Sequence, residues 1–173
     1  MMTAVTFLTI RAAHILVAAL WIGSTVFSAA LLMPAMDAAG AAGGQLMARL
    51  QRRGFPIYME AIGVTTVLSG VYLLWHFTGG FDPSVSVSHS GLAFGIGGVA
   101  GVLAGIIGGG VVGRSAKRLS RLSSSTVTIA DDHVHRALLT EIASLKRRMR
   151  IGTRVVIGLQ TTALVFMSVG HYV

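Results

Sequence analysis

Four histidines could do chemistry because each one lies inside or at the end of a long apolar segment. They are His14, His76, His89 and His171. Histidine nitrogens ligate haem iron, and neutral imidazoles also bind copper and zinc directly. His14 is the most informative, because an ionisable side chain deep in an apolar segment is costly and marks a functional site. The chain contains no cysteine, which excludes disulfides, thiolate metal sites and cysteine nucleophiles.

Two residues near His14 share its face if the segment is helical. Arg11 precedes it by about one turn, and Trp21 follows it by about two turns. Arg11 stands where a guanidinium could meet the propionate of a haem bound to His14. His14, Arg11 and Trp21 are therefore the predicted cofactor-binding residues of the first segment, with His76 or His171 completing the site.

Four apolar segments supply the elements that must position these residues, and they cover about 5–33, 55–77, 91–113 and 151–173. Each is long enough for a bilayer core, which needs about 20 residues of helix. Helices are the expected form because lipid leaves backbone groups no other partners. Only 12% of the residues are charged and 53% are hydrophobic, so lipid must cover much of the chain. We predict an all-α integral membrane protein, a single domain over 1–173 forming a four-helix transmembrane bundle in the lipid bilayer.

The basic residues are unevenly distributed among the connections. The connection 34–54 holds three arginines and 114–150 holds nine basic residues, whereas 78–90 holds none. Because lysine and arginine stay on the cytoplasmic side, this pattern predicts that both termini of the multi-pass protein lie outside. We expect its membrane to be a bacterial inner membrane. The four histidines then gather toward the outer side. The net charge of +8 reflects this topology and attraction to anionic lipid headgroups, not nucleic-acid binding.

The connection 114–150 is predicted to be a cytoplasmic helical region. Leu138, Ile142, Leu145 and Met149 recur there at helical spacing. Nothing breaks the helix before the fourth span, so we expect the last helix to extend into the cytoplasm as one rod from near residue 130. The alternative for its first half is a helix lying on the headgroups.

Two further patterns concern helix packing. Glu60 and Arg154 lie at similar depth near the cytoplasmic side and are predicted to pair, with a proton pathway through Glu60 as the alternative. The third segment carries a glycine at every fourth position, which favours close helix packing or a homodimer, and less often a smooth face for a flat cofactor. These glycines are Gly97, Gly101, Gly105, Gly109 and Gly113.

A family resemblance rests on two stretches of the sequence, RAAHILVAALWIGSTVFSAALLMPAM and RRGFPIYMEAIGVTTVLSGVYLLW. They resemble the first two helices of the copper-resistance D (CopD-like) membrane domains and of the HemJ-type protoporphyrinogen oxidases. The likeness covers mainly residues 8–77, with a vaguer match over 145–173. The HemJ-type resemblance implies haem b bound through the helix-one histidine, which is His14. It also implies a lysine in the third helix, where this chain has HSGLAFGIGG and no lysine.

These observations together favour a b-type haem protein with a redox or electron-transfer role near the outer membrane face. His14 is the first axial ligand in this hypothesis, His76 or His171 the second. Quinone, a small oxidant or a redox partner would exchange electrons with it, so an oxidoreductase activity is open. The first alternative is transport of copper or another metal through His14, His76, His89 and His171. The second is a structural membrane subunit packed through the glycine-rich third helix.

Overall fold

The computed structural model describes residues 4–125, 132–170 and 172. Within these residues all regular structure is helical, which confirms the all-α prediction. The helices are α1 (Ala4–Phe27), α2 (Met33–Ala38), α3 (Ala41–Arg52), α4 (Phe55–Phe77), α5 (Pro83–Ser86), α6 (His89–Ile107), α7 (Arg114–Ser125) and α8 (Asp132–Val169). Two π-helical segments, Ser28–Leu32 and Gly108–Gly113, join α1 to α2 and α6 to α7.

Four helical stretches are long and apolar enough to cross a membrane, as the sequence predicts. They are Ala4–Ala38, Phe55–Phe77, His89–Leu122 and His133–Val169. The first continues past the predicted limit of residue 33 and through Pro34. A proline ring clashes with the carbonyl four residues earlier, and the wider π turn at Ser28–Leu32 relieves such a clash. The chain is therefore a multi-pass membrane protein.

The four spans pack as a bundle in which α1 lies against α4, α4 against α6, and α6 against α8, while α8 closes the ring on α1. The buried centre is formed by Trp21, Ala104 and Val156, one residue from each of three spans. Met59, Ile62 and Leu159 pack around this centre. The bundle thus has a small apolar centre, and other buried side chains are polar, among them His14 and Gln160.

The glycines at every fourth position of the third span do not share one contact surface. A Cβ on Gly97 would lie 3.3 Å from the Ala163 carbonyl oxygen of α8, and a Cβ on Gly105 would lie 3.2 Å from a methyl group of Val67 on α4. Gly101 has no neighbour within 4 Å in that direction. Four residues overshoot one turn of about 3.6 residues, so the stripe winds from one neighbouring helix to the next.

The last helix is one rod, as the sequence predicts. It runs without interruption from Asp132 to Val169 over 38 residues. Its length of about 57 Å exceeds a hydrocarbon core of about 30 Å, so its first half extends beyond the bilayer. This half packs against α7, and Leu145 is buried there. We call the part of the molecule that contains α2, α3, α7 and the first half of α8 the basic end.

One predicted ion pair is wrong. Glu60 pairs with Lys117, at 3.7 Å between Oε2 and Nζ, and not with Arg154. The reason is that α7 prolongs α6 beyond the membrane and carries Lys117 to the start of α4. Both side chains are about two-thirds exposed, at 63% for Lys117 and 65% for Glu60. Because water and salt screen exposed charges, this ion pair contributes little to the stability of the fold.

Candidate functional site

The site centres on His14, which faces α4 from the inner side of α1. The residue is only 8% exposed. Its Nδ1 lies 2.8 Å from the Ser69 hydroxyl oxygen of α4. A hydrogen bond between side chains of two spans therefore fixes the imidazole in the interface between α1 and α4.

The hydrogen bonds of Ser69 determine which nitrogen of His14 carries the proton. The Ser69 hydroxyl donates to the Thr65 carbonyl oxygen at 2.6 Å, in the preceding turn of α4. A serine hydroxyl has a single proton, so toward His14 its oxygen accepts. The proton of the neutral imidazole is then on Nδ1, and the lone pair is on Nε2. His14 thus has the tautomer of a histidine that ligates a metal through Nε2, with its other nitrogen held by a hydrogen bond.

Glycines of α4 make room for the rings of α1. A Cβ on Gly70 would lie 3.0 Å from Cε1 of His14, and a Cβ on Gly63 would lie 3.3 Å from Cε2 of Trp21. His14 and Trp21 are seven residues apart on α1, and Gly63 and Gly70 are seven residues apart on α4. Seven residues make about two turns, so each ring of one helix meets a glycine of its antiparallel partner.

His76 and His89 are not brought to His14. The ring of His76 packs on Phe7, with 5.3 Å between ring centroids. His76 is six residues beyond Gly70 on α4, which places its backbone about 9 Å further along the helix axis. His89 is exposed at the first residue of α6. The predicted ligand His171 lies outside the described residues.

The remaining predicted site residues lie on α1. Trp21 is 7% exposed and belongs to the apolar centre of the bundle. Arg11 is half-buried one turn from His14. For a cluster-type metal site, the described residues contain no group of three or more His, Cys, Asp or Glu side chains that could hold an ion. The site that the structure builds is a single oriented imidazole with Ser69 and Gly70 behind it.

Sequence reasoning missed a second buried polar group. Gln160 of α8 is 2% exposed, and its Nε2 donates to the Thr25 hydroxyl oxygen at 3.4 Å. The Thr25 hydroxyl in turn donates to the Trp21 carbonyl oxygen at 2.8 Å. No hydrogen bond within the described chain reaches Oε1 of Gln160. Gln160 could have been found from the sequence, because it is an amide in the middle of an apolar run. The contacts of Gly63 and Gly70 with the rings of α1 could have been found from their seven-residue spacing.

No family model, no curated protein and no solved structure matches the chain. What fold and site define is a class, an all-α multi-pass membrane protein with one oriented histidine in its interior. The resemblance to CopD-like and HemJ-type proteins stays a prediction.

Proposed function

We propose that this membrane protein binds b-type haem through His14 and takes part in electron transfer. The observation that carries the proposal is the hydrogen bond between His14 and Ser69, which puts the proton of a buried imidazole on Nδ1 and its lone pair on Nε2, the atom that would ligate iron. Bound haem would supply one-electron chemistry, while the protein sets ligation, access and electrostatics. Quinone, a small oxidant or a redox partner would be the second reactant.

Each residue near His14 would have a definable task. Ser69 holds the ring by its Nδ1 proton, and Gly70 lets the ring lie directly against the α4 backbone. Arg11, one turn along α1, is the proposed partner of a propionate. His76 and His171 remain the proposed candidates for a second axial position. Copper transport would use the same Nε2 of His14, but the described residues hold no group of three His, Cys, Asp or Glu side chains to complete a copper site.

Absorption spectroscopy of the purified protein tests the proposal. Protein from haem-replete cells should show a Soret band and, after dithionite reduction, a sharp α band. A colourless preparation would contradict haem binding itself. His14→Gly should lose the Soret band, and added imidazole should restore it if the variant is folded. His89→Gly is the matched control and should keep its haem. A His14→Gly variant with an unchanged spectrum would refute the ligand and leave haem binding standing.

We also propose that the basic end faces the cytoplasm and that both termini face outward. The support is the excess of basic residues at that end, since positive side chains are retained on the cytoplasmic side. The absence of cysteine makes the test direct. Ser84→Cys, in the connection between α4 and α6, should react with a membrane-impermeant maleimide on intact cells. Gln45→Cys, in α3, should react only after lysis, and the reverse pattern would overturn the orientation.

A further inference from the structure

One face of α8 combines two arginines with exposed apolar side chains where the helix enters its apolar half. Ser144, Arg147, Arg148 and Ile151 are spaced by three and four residues, so they share this face. With Ala143 they line a shallow depression of about 490 Å³. Ala143 and Ser144 are small, so the depression lies between the longer side chains. We call these five residues the α8 entry face.

Among the described residues, the carboxylates near the basic end pair with other side chains and not with the two arginines of the α8 entry face. Asp37 pairs with Lys146, Glu60 with Lys117 and Glu141 with Arg118. Arg147 and Arg148 are exposed, and neither has an ion-pair partner within the described residues. Two adjacent guanidinium groups on one face are suited to an oxyanion, since each can donate two parallel hydrogen bonds to a phosphate.

Two exposed apolar side chains continue the same face into the membrane-spanning half of α8, and the exposed Arg154 lies beside them. Ile151 is 50% exposed, and Val155, one turn further, is 44% exposed. In a bilayer such side chains contact acyl chains. Arg148 precedes Ile151 by only about 4.5 Å along the helix axis, so its guanidinium can stay at headgroup level while its methylene groups lie on apolar surface.

We propose that the α8 entry face is a binding site for an anionic phospholipid. The phosphate lies between Arg147 and Arg148, and an acyl chain follows Ile151 and Val155. The apolar half of the face is the reason for assigning a phospholipid and not a free phosphate ion. Charge supplies the preference for an anionic headgroup over a zwitterionic one, because a zwitterion brings its own cation to the arginines. This site does not depend on haem binding.

Native mass spectrometry of the purified full-length protein tests the site. Phosphatidylglycerol and phosphatidylcholine with identical acyl chains are titrated separately. We expect phosphatidylglycerol to bind about tenfold more tightly, given the gain from basic side chains at a membrane surface. The double variant Arg147→Gln/Arg148→Gln should lose this preference. The control Arg49→Gln/Arg52→Gln removes the same charge from exposed positions of α3 and should keep it.

Three results would overturn the proposal. If both double variants lose the preference for phosphatidylglycerol equally, the lipid is attracted diffusely to the whole basic end. An unchanged preference in Arg147→Gln/Arg148→Gln would place the lipid elsewhere. Full displacement of phosphatidylglycerol by millimolar inorganic phosphate would mean a simple anion site. A further variant, Ile151→Asn, tests the apolar half and should weaken both lipids while leaving the preference between them intact. Circular dichroism confirms that each variant remains helical.

Discussion

The imidazole of His14 and the hydroxyl of Ser69 join two membrane spans through a hydrogen bond of 2.8 Å. Because the Ser69 proton is already donated to Thr65, the bond also fixes the tautomer of His14. The same contact lies over Gly70, where α4 has no side chain to hold the ring away. Position, tautomer and close approach of this ring therefore have a common origin in two consecutive residues of α4.

Ser69→Ala should release the tautomer and weaken the contact between α1 and α4. Nitrogen-15 NMR of the histidine-labelled, haem-free protein should show the proton on Nδ1 of His14 in the wild type and a shift toward Nε2 in the variant. The stability loss should be about 1 kcal/mol, the usual value of one hydrogen bond. Ser168→Ala is the control, since Ser168 makes the same bond to the carbonyl four residues earlier but faces outward. An unchanged tautomer in Ser69→Ala would mean that the Thr66 backbone, and not Ser69, holds the His14 proton.

Gly70→Ala should displace the His14 ring, because the added methyl would sit 3.0 Å from Cε1. His14 cannot simply rotate away without losing Ser69, so we expect a loss of about 1–3 kcal/mol. Thermal unfolding in detergent, followed by circular dichroism, measures it. Gly101→Ala is the matched control, with no atom within 4 Å of the new methyl. Gly101→Ala should leave the stability unchanged or raise it slightly. Equal losses of stability in both variants would mean that replacing a helical glycine is responsible, and not the contact with His14.

The sequence predicts the helices of this molecule well and their contacts poorly, for a physical reason. Long apolar runs must be helical in lipid, so four spans and the long rod of α8 follow directly. Contacts depend on how helices rotate and shift against one another, which composition does not encode. Glu60 therefore meets Lys117 and not Arg154, and the glycines of α6 divide between two neighbours. His14 was identifiable from its cost in lipid, whereas Ser69 is one of several serines in apolar segments.

The connection between α4 and α6 should respond to acid through Asp82. Hydrogen bonds from the Ser84 hydroxyl and amide, at 2.6 and 2.8 Å, hold the pKa of the Asp82 carboxyl below its usual value. A carboxylate whose pKa is lower in the folded than in the unfolded state stabilises the folded state at pH values above its unfolded pKa of about 4. This stabilisation is lost as the pH falls through the folded-state pKa. Hydrogen exchange at the Ser84 amide should therefore accelerate in acid relative to neighbouring amides. Asp82→Asn keeps a capping oxygen but cannot titrate, so its Ser84 amide should lack this acid response; persistence of the response would assign it to another group.

Gly152 allows α8 to cross the π-helical segment of the third span. A Cβ at this position would lie 2.9 Å from a methyl group of Val112. Gly152→Ala alone should cost about 1–3 kcal/mol through overpacking. Val112→Ala removes the obstructing methyl groups, so the double variant should be more stable than the sum of the single losses predicts, by about 0.5–3 kcal/mol. Additive losses in this double-mutant cycle would show that the two side chains do not compete for the same space.

Gln160 should lower the stability of the helix bundle. Its Oε1 is buried without a partner in the described chain, and such a group costs about 1–3 kcal/mol. Gln160→Met keeps the length of the side chain and removes the amide, so it should leave the unfolding temperature unchanged or raise it. Gln160→Ala leaves a cavity and should lower stability by about 2 kcal/mol or more.

Buried polar groups that reduce stability are kept in some proteins because they fix helix register, and the bond to Thr25 would do so between α8 and α1. Cross-linking between cysteines placed along α1 and α8 tests this directly: Gln160→Met should broaden the set of pairs that react. If Gln160→Met is as destabilising as Gln160→Ala, the amide contributes net stability and its oxygen has a hydrogen-bond partner.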